Sequence, residues 1–299
     1  MSLVPEHFAD MIEIREGEEG EAWVAGLPGQ VDALLASWGL RVDGETRFGY
    51  VGIVVPVRCS DGTPAALKVS YPDEESRSEP PALHAWDGDG AVRLLRCDET
   101  GFGMLLEWLD PERSLFSLPV DEAVDVIGGL LRRMHRTAAP EDVPRLGAES
   151  RRWLDSVPRD WDAFCGDQDR RLLDAALETF RDLGPEAGET LLHRDLHYGN
   201  VLAGDREPWL AIDPKGMAGD PGYDVLPAVW NQLDVLLAAD DPQAAVRRRV
   251  DRLCEVSGID RERAYRWTQA RAIEDLMWQQ RTGNAGPGGE ILIAEALLA

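Results

Sequence analysis

Lysine is almost absent from this 299-residue chain, in which Lys68 and Lys215 stand beside 29 arginines. Either residue type is acceptable on most of a protein surface, so the bias by itself marks no site. The two remaining lysines are of interest because a compact ammonium and a planar guanidinium are not interchangeable where a point charge is needed. We therefore treat both lysines as candidate functional residues.

Further absences argue against whole classes of protein. The chain has no run of 18 apolar residues, so a membrane-spanning helix is not expected. Its first 20 residues carry acids throughout and no apolar h-region, so no secretory signal is expected either. The cysteines are far apart and form no CxxC pair, which argues against a thiolate zinc site: Cys59, Cys97, Cys165 and Cys254. We expect free thiols and a cytoplasmic protein.

Basic residues are scarce as well. The chain has 31 of them against 55 acidic residues, which gives a net charge of -24. This charge disfavours nucleic acid and anionic membrane surfaces as partners. It suits a small cationic ligand, but the acids are spread over both halves of the chain, so the net charge marks no particular site. The oligomeric state is left open.

A folded chain with a large core is nevertheless expected, because 44% of the residues are hydrophobic and ten are tryptophan. In the first third of the chain, one helix is predicted at 30–38, with Gly39 as its stop signal, and another at 82–86. Short β-branched or apolar segments predict strands at 48–58, 65–70, 91–97 and 104–108. We expect a small, β-rich N-terminal lobe over residues 1–109.

Helical periodicity dominates from Asp110 onward. Amphipathic helices are predicted at 120–135 and 169–183, then short strands at 190–193, 201–203 and 209–213, and a mostly helical remainder. A flexible loop is predicted over the glycine-rich segment 283–289. The expected fold class is α+β, with a larger helical lobe over residues 110–299.

The most specific segment is HRDLHYGN (193–200), a predicted loop between two short strands. It matches the H-R-D-x-x-x-x-N catalytic loop of kinases. Phosphoryl transfer needs a carboxylate that orients the attacking hydroxyl and accepts its proton, and Asp195 is that residue. It also needs oxygen ligands for Mg²⁺, and Asn200 and the strand-end Asp213 are of the right kind. The pattern predicts phosphoryl-transfer chemistry.

These residues give the chain a resemblance to the aminoglycoside phosphotransferase-like kinases, which share the two-lobed protein-kinase fold. The segments HRDLHYGNVL (193–202), IDPKG (212–216) and GDPGYDV (219–225) most resemble the branch of streptomycin 6-kinases and hydroxyurea phosphotransferases. Many aminoglycoside kinases have glycine where Arg194 stands, and this departure favours that branch. The resemblance implies a protein-kinase-like fold with ATP and Mg²⁺ as cofactors.

The resemblance also implies a nucleotide site in the N-terminal lobe. Lys68 resembles the strand lysine that holds the α- and β-phosphates, with Glu79 as its acidic partner and Glu75 as the alternative. Residues that would line the nucleotide site are two glycines of a loop and three residues of a hinge whose backbone would bind adenine: Gly49, Gly52, Glu107, Trp108 and Leu109. Behind the catalytic loop, His193, Arg194 and Asp224 are expected to brace it.

The acceptor is expected to bind to the helical lobe. A helix is predicted over 268–281, and residues four apart on a helix share a face. Glu274 and Trp278 could therefore present an acid and an aromatic ring to a guanidinium or ammonium group, with Asp275 as a further candidate on the same helix. A solvated acidic face with a core tryptophan is the alternative. Lys215, two residues after Asp213, is predicted to offset negative charge at the reacting phosphoryl group, or else to be a surface charge.

The sequence thus predicts an ATP-dependent kinase that phosphorylates a hydroxyl group of an aminocyclitol antibiotic, with 6-phosphorylation of streptomycin and antibiotic resistance as the specific hypothesis. One alternative is a kinase of the same fold acting on an amino sugar or another metabolite. The other is a catalytically silent, kinase-like binding module. The intact set of Lys68, Asp195, Asn200 and Asp213 argues against the silent module.

Overall fold

The computed structural model of the chain describes residues 3–165, 169–283 and 288–298. Its N-terminal part is an antiparallel sheet with a long helix, α1 (Glu6–Trp38), packed on one face. The strands of this sheet are β1 (Arg41–Val42), β2 (Arg47–Phe48), β3 (Gly52–Arg58), β4 (Pro64–Ser70), β5 (Leu94–Cys97) and β6 (Gly103–Glu107). They lie in the order β1-β3-β4-β6-β5, with β2 also paired to β3, and helix α2 (Glu79–Trp86) links β4 to β5.

Strand alternation decides what each face of this sheet does, because successive side chains point to opposite faces. One set packs with the apolar residues of α1 in a core of its own: Ile53, Val55, Val57, Leu67, Val69 and Leu105. The residues between them face the other way and line the cleft toward the rest of the molecule: Val54, Ala66, Lys68 and Leu106. The position of Lys68 in the strand therefore directs its ammonium into the cleft.

Helix α1 begins much earlier than the sequence predicts. Gly39 ends it as expected, with a left-handed φ of 65°, but the helix starts at Glu6 and not near residue 30. Several glycines and Pro28 lower the helix propensity of its first two thirds, and Gly17 interrupts it with a φ of 62°. Packing of buried Phe8 and Ile12 against the sheet stabilises this segment, which propensity alone would not.

The second part of the chain is mostly helical. Its helices are α3 (Val120–Met134), α4 (Leu146–Phe164), α5 (Arg170–Leu183), α6 (Leu226–Val229), α7 (Leu233–Leu237), α8 (Pro242–Ser257), α9 (Arg261–Thr282) and α10 (Glu290–Leu297). Its short strands are β7 (Asp110–Ser114), β8 (Thr190–Leu192), β9 (Val201–Ala203), β10 (Leu210–Ala211) and β11 (Met217–Gly219). The predicted α+β class, with a β-rich part followed by a larger helical part, is confirmed. Helix α4 and strand β7 were not predicted.

The chain leaves the large sheet between β6 and β7. Strand β7 pairs with β9 and not with the N-terminal sheet, and the predicted boundary at 109/110 falls in this connection. Most of the loop predicted at 283–289 lies outside the described residues. No helix within the described ranges is long and apolar enough to cross a membrane.

An aromatic core lies beneath the loop between β8 and β9. The ring of Tyr223 packs on Trp267 and Trp153, with centroids 5.7 and 5.9 Å apart. Phe180 packs on both tryptophans. Because Tyr223 precedes Asp224, this packing fixes the segment that supports the loop.

The two glycines of the β2–β3 hairpin have different structural requirements. A Cβ added at Gly52 would lie 2.7 Å from the carbonyl oxygen of Val69, whereas nothing lies within 4 Å of one added at Gly49. We expect Gly52→Ala to lower the free energy of unfolding by about 1–3 kcal/mol, because β3 and β4 must separate. Gly49→Ala is the matched control and should change it by less than about 0.5 kcal/mol. Urea denaturation measures both, and equal effects would contradict this account.

Candidate active site

The loop at 193–200 is held from below by Asp224. This buried carboxylate accepts the backbone N–H groups of His193 at 2.8 Å and Arg194 at 2.6 Å. It also lies 2.9 Å from Nε2 of His135. Burial opposes its charge, but the hydrogen bond and charge of His135 outweigh burial and lower the pKa of Asp224. The structure thus places Asp224 where the sequence predicted it, under the loop.

His193 braces the same loop from inside. It is fully buried, and its Nε2 donates to the carbonyl oxygen of Ile212 at 3.0 Å. Its Nδ1 accepts the backbone N–H of Asp195 at 3.2 Å. Burial lowers the pKa of His193, which favours the neutral ring that this donor and acceptor pair requires. The ring therefore fixes the backbone that carries Asp195.

Arg194 has a left-handed backbone, with φ of 65°. A non-glycine residue held there costs on the order of 1 kcal/mol, which the surrounding hydrogen bonds must offset. Glycine adopts this conformation freely, which gives a physical reason for the glycine that many aminoglycoside kinases have at this position. The Arg194 guanidinium lies 3.8 Å from Glu75.

Asn200 connects the far end of the loop to Asp195. Its Nδ2 donates to the backbone oxygen of Asp195 at 2.9 Å and to the carboxylate Oδ2 of Asp195 at 3.3 Å. The backbone carbonyl oxygen of Asn200 accepts the N–H of Ile212, which directly precedes Asp213. The predicted base and the predicted metal ligands are therefore connected through a few hydrogen bonds.

A buried charge cluster joins the two parts of the molecule. Nζ of Lys68 lies 2.7 and 2.6 Å from the carboxylate oxygens of Glu79 and 2.5 Å from Oδ1 of Asp213. Nζ of Lys215 lies 3.9 Å from Oδ2 of Asp213. Of the two partners that the sequence left open for Lys68, the structure places Glu79 on it, whereas the half-exposed Glu75 lies near Arg194.

The members of this cluster stabilise one another's charges. Burial disfavours the ammonium of Lys68, but Asp213 and Glu79 outweigh burial and raise the pKa of Lys68. Burial likewise disfavours the carboxylate of Asp213, yet Lys68 and Lys215 hold the pKa of Asp213 well below its usual range. Asp213 also raises the pKa of Lys215 against the effect of burial. Because the side chain of Lys215 is only 13% exposed, it is not a surface charge.

The cluster lies at one end of a cavity of about 290 Å³ between the sheet and the helical part. Gly49, Gly52 and the hinge residues 107–109 line this cavity, as the sequence predicted for a nucleotide site. Its other walls are largely apolar: Val54, Pro56, Ala66, Val92, Leu106, Leu202 and Ile212. An apolar slot with a charged end suits a flat base and its phosphates.

Asn200 and Asp213 both line this cavity, and an amide oxygen beside a carboxylate fits Mg²⁺. Within the described residues, the side chain of Asn200 forms its hydrogen bonds through Nδ2, and its amide oxygen can serve as a ligand. Among the described residues, no group of three histidines, cysteines or acids could hold a metal by itself. This donor set is typical of a magnesium ion that is bound together with phosphates.

The predicted acceptor residues lie on α9. Glu274 and Asp275 are half-buried and close enough to Arg194 to interact with its charge. Burial and the charge of Asp275 raise the pKa of Glu274, and burial also raises the pKa of Asp275. Trp278 is 41% exposed and is not a core residue. The structure therefore brings the acidic pair near the catalytic loop and leaves the tryptophan ring accessible one turn further on.

Several supporting residues were not predicted from the sequence. Nη1 of Arg15 in α1 donates to the carbonyl oxygen of Tyr50 at 2.7 Å and so anchors the β2–β3 hairpin that lines the cavity. Arg206 binds the carboxylate of Glu107 at the hinge. Arg271 contacts the catalytic loop. Each comes from a segment remote in sequence from its partner, so no local motif could have found it.

Comparison with known proteins agrees with the family resemblance of the sequence motifs. The sequence profile described as "Aminoglycoside/hydroxyurea antibiotic resistance kinase" matches residues 37–283. The chain is 43% identical to streptomycin 6-kinase of Streptomyces glaucescens, over 98% of this chain and 96% of that protein. It is also 43% identical to hydroxyurea phosphotransferase of Kitasatospora aureofaciens, over 100% of this chain and 87% of that protein. The solved macrolide 2'-phosphotransferase of Brachybacterium faecium has the same fold, with a TM-score of 0.55 at 16% identity over 90% of this chain and 97% of that one.

The burial of Lys215 beside Asp213 predicts that the shape of its charged group matters for turnover. We expect Lys215→Arg to lower kcat by about tenfold or more, because a planar guanidinium cannot replace a compact ammonium in the turn after Asp213. Steady-state kinetics measures kcat, and the melting temperature and ATP affinity of the variant control for folding. Unchanged kcat in a folded variant that binds ATP would show that Lys215 has no role in turnover.

Proposed function

The chain belongs to the aminoglycoside/hydroxyurea antibiotic resistance kinase family, and we propose that it transfers the γ-phosphoryl group of ATP to the 6-hydroxyl of streptomycin. The observation that carries this proposal is the convergence of Asn200 and Asp213 beside Lys68 at the charged end of the cavity, with Asp195 hydrogen-bonded to Asn200. The silent-module alternative is disfavoured because all these groups are present and connected. Free thiols at the four cysteines are consistent with the cytoplasm, where ATP is available.

The nucleotide is proposed to bind in the apolar slot, with adenine against the backbone of residues 107–109. Lys68, oriented by Glu79, would bind the α- and β-phosphates, and the β2–β3 hairpin would lie over them. Asn200 and Asp213 would hold Mg²⁺, which supplies neutralisation of phosphate charge. Lys215 would add a compact positive charge at the transferring group.

Asp195 is proposed to orient the acceptor hydroxyl and accept its proton. The hydroxyl oxygen then forms a bond to the γ-phosphorus while the bond from that phosphorus to the oxygen bridging it to the β-phosphorus breaks, and ADP leaves. The supports described above hold Asp195 in place before the acceptor arrives: Asn200, His193 and Asp224. Catalysis is thus expected to come mainly from positioning and charge neutralisation.

The acidic pair on α9 favours a cationic acceptor. Streptomycin carries guanidinium groups, which two adjacent carboxylates can bind through charge-assisted hydrogen bonds, with Trp278 available for a cation–π contact. Hydroxyurea is neutral and would make no use of these charges. It remains a second candidate because the relative named for it is as similar to this chain, at 43% identity, as the streptomycin kinase.

A panel of acceptors tests the proposal. Turnover of Mg-ATP would be measured with streptomycin, hydroxyurea, other aminoglycosides and glucosamine, and the product position assigned by phosphorus and proton NMR. We expect the highest kcat/KM with streptomycin, with phosphate on the 6-hydroxyl. A higher kcat/KM with hydroxyurea or glucosamine would move the assignment to that acceptor, and no turnover with any would contradict kinase activity.

The role proposed for Asp195 predicts a separation of chemistry from binding. Asp195→Asn should lower kcat by about a hundredfold or more, because the amide cannot accept the hydroxyl proton. ATP affinity should change little, because Asp195 serves the acceptor and not the nucleotide. Calorimetric titration with ATP and steady-state kinetics give the two quantities. Near wild-type kcat in this variant would contradict the assignment.

The raised pKa of Glu274 predicts a pH dependence. Burial raises the pKa of both Glu274 and Asp275, so the free enzyme keeps a proton on this pair that a guanidinium acceptor must displace. KM for streptomycin should therefore fall as pH rises from about 6 to about 8.5. The slope should approach, at most, about tenfold per pH unit. Guanidinium groups keep their charge throughout this range.

Glu274→Gln is the matched variant for this effect. It should raise KM for streptomycin at high pH and flatten the pH profile, while KM for ATP stays near the wild-type value. An unchanged pH slope in Glu274→Gln would show that this carboxyl does not face the acceptor.

A further inference from the structure

Arg271 is a buried arginine that the proposed chemistry does not use. It lies on α9, one turn before Asp275, and is only 7% exposed. Burial of a guanidinium is costly unless its donors are paired. Its neighbours therefore indicate what this charge does in the molecule.

The guanidinium binds two backbone carbonyl groups from separate segments. Nη2 donates to the oxygen of Arg194 at 2.6 Å, and Nη1 donates to the oxygen of Tyr223 at 3.0 Å. The cation also lies over the Tyr223 ring, 4.6 Å from its centroid. Arg271 thus joins the catalytic loop to the segment that supplies Asp224.

The carbonyl group of Arg194 belongs to the same peptide unit as the N–H of Asp195. That N–H donates to Nδ1 of His193 at 3.2 Å, so Arg271 and His193 hold the two ends of one peptide plane. The preceding plane is held by Asp224 through the N–H of Arg194. Between the two planes lies the left-handed backbone of Arg194. If either plane rotated, the carboxylate of Asp195 would move.

We propose that Arg271 is a positioning residue that fixes the peptide plane before Asp195 and ties it to the helix that carries Glu274 and Asp275. This inference rests on the phosphoryl transfer proposed above. Nε of Arg271 lies 3.7 Å from Oδ2 of Asp275, and neither atom has a hydrogen-bond partner among the described residues. The guanidinium therefore lies between the proposed acceptor acids and the backbone that carries the proposed base.

Arginine suits this position because its planar fork reaches two carbonyl groups at once. A lysine at the same place would bind one carbonyl or the other as a point charge. Arg271→Lys therefore keeps the positive charge but binds only one of the two carbonyl groups. Arg271→Met removes all the donors but keeps much of the side-chain volume.

Arg145 supplies the matched control. Its Nη1 also donates to two backbone carbonyl groups, those of Pro140 and Val143, at 3.1 and 2.8 Å. Those carbonyl groups do not belong to the catalytic loop. Arg145 is more exposed than Arg271 and also pairs with Glu189 through its Nε at 3.1 Å. Arg145→Met therefore removes an arginine that binds two carbonyl groups elsewhere in the helical part, and it tests for a merely structural effect.

The experiment measures kcat, both KM values, melting temperature and backbone hydrogen exchange over residues 190–200 in each variant. We expect Arg271→Met to lower kcat per folded molecule by about ten- to a hundredfold. The kcat of Arg271→Lys should lie between those of the wild type and Arg271→Met, and KM for ATP should be unchanged in both variants. Exchange at Asp195 should accelerate in Arg271→Met. Arg145→Met should lower the melting temperature without changing kcat or that exchange.

Unchanged kcat in Arg271→Met, or an equal loss in Arg145→Met, would overturn the inference. Hydrogen exchange also distinguishes a failure of the inference about Arg271 from a failure of the proposed function. If the wild-type protein phosphorylated no acceptor, faster exchange at Asp195 in Arg271→Met alone would still support the positioning role, and unchanged exchange would overturn it.

Discussion

The ion pair between Lys68 and Asp213 is the interaction on which the rest of the site depends. It joins β4 of the sheet to the turn after β10, and Glu79 from α2 completes it. Lys68 and Glu79 are buried, whereas Asp213 is partly exposed to the cavity. Removal of the Lys68 ammonium would leave the Glu79 carboxylate buried without its partner, at a cost of about 3–5 kcal/mol. Asp213 also keeps a left-handed backbone, with φ of 57°, that the surrounding contacts must hold. The cluster can form only when the sheet and the helical part pack together. The charged end of the cavity therefore exists only in the folded arrangement of both parts.

A second set of contacts holds the catalytic loop and joins it to the segment that carries Asp213, through the bond from His193 to the carbonyl oxygen of Ile212. Asp224 and His193 hold its backbone from within the helical part, and Arg271 adds a connection to α9. Their positions depend on the aromatic packing of Tyr223 and Trp267. In the proposed function, the sheet supplies the lysine for the phosphates, and the helical part supplies the loop that carries Asp195 and the acidic helix for the acceptor. A rigid loop matters because catalysis by positioning tolerates little displacement.

The sequence was informative where local pattern carries the information. The short apolar segment 65–70 predicted that Lys68 sits in a strand. The spacing of 193–200 predicted Asp195 and Asn200 as a pair, and the structure brings them into hydrogen-bond contact. The full extent of α1 was missed, because its stability comes from contacts between Phe8 or Ile12 and a sheet formed later in the chain. Arg271 was missed for a related reason, since its partners Arg194 and Tyr223 lie 77 and 48 residues away. The choice between Glu75 and Glu79 also needed the fold, because the run of acids after β4 offers several candidates.

The central claim is that the Lys68–Asp213 cluster is the site of the magnesium-bound nucleotide. Calorimetric titration of ATP, with and without Mg²⁺, into the wild-type protein and Asp213→Asn tests it most directly. We predict that Mg²⁺ tightens ATP binding to the wild-type protein and that Asp213→Asn loses this enhancement, while binding of metal-free ATP persists. An Asp213→Asn protein that keeps the full effect of Mg²⁺ would contradict the account.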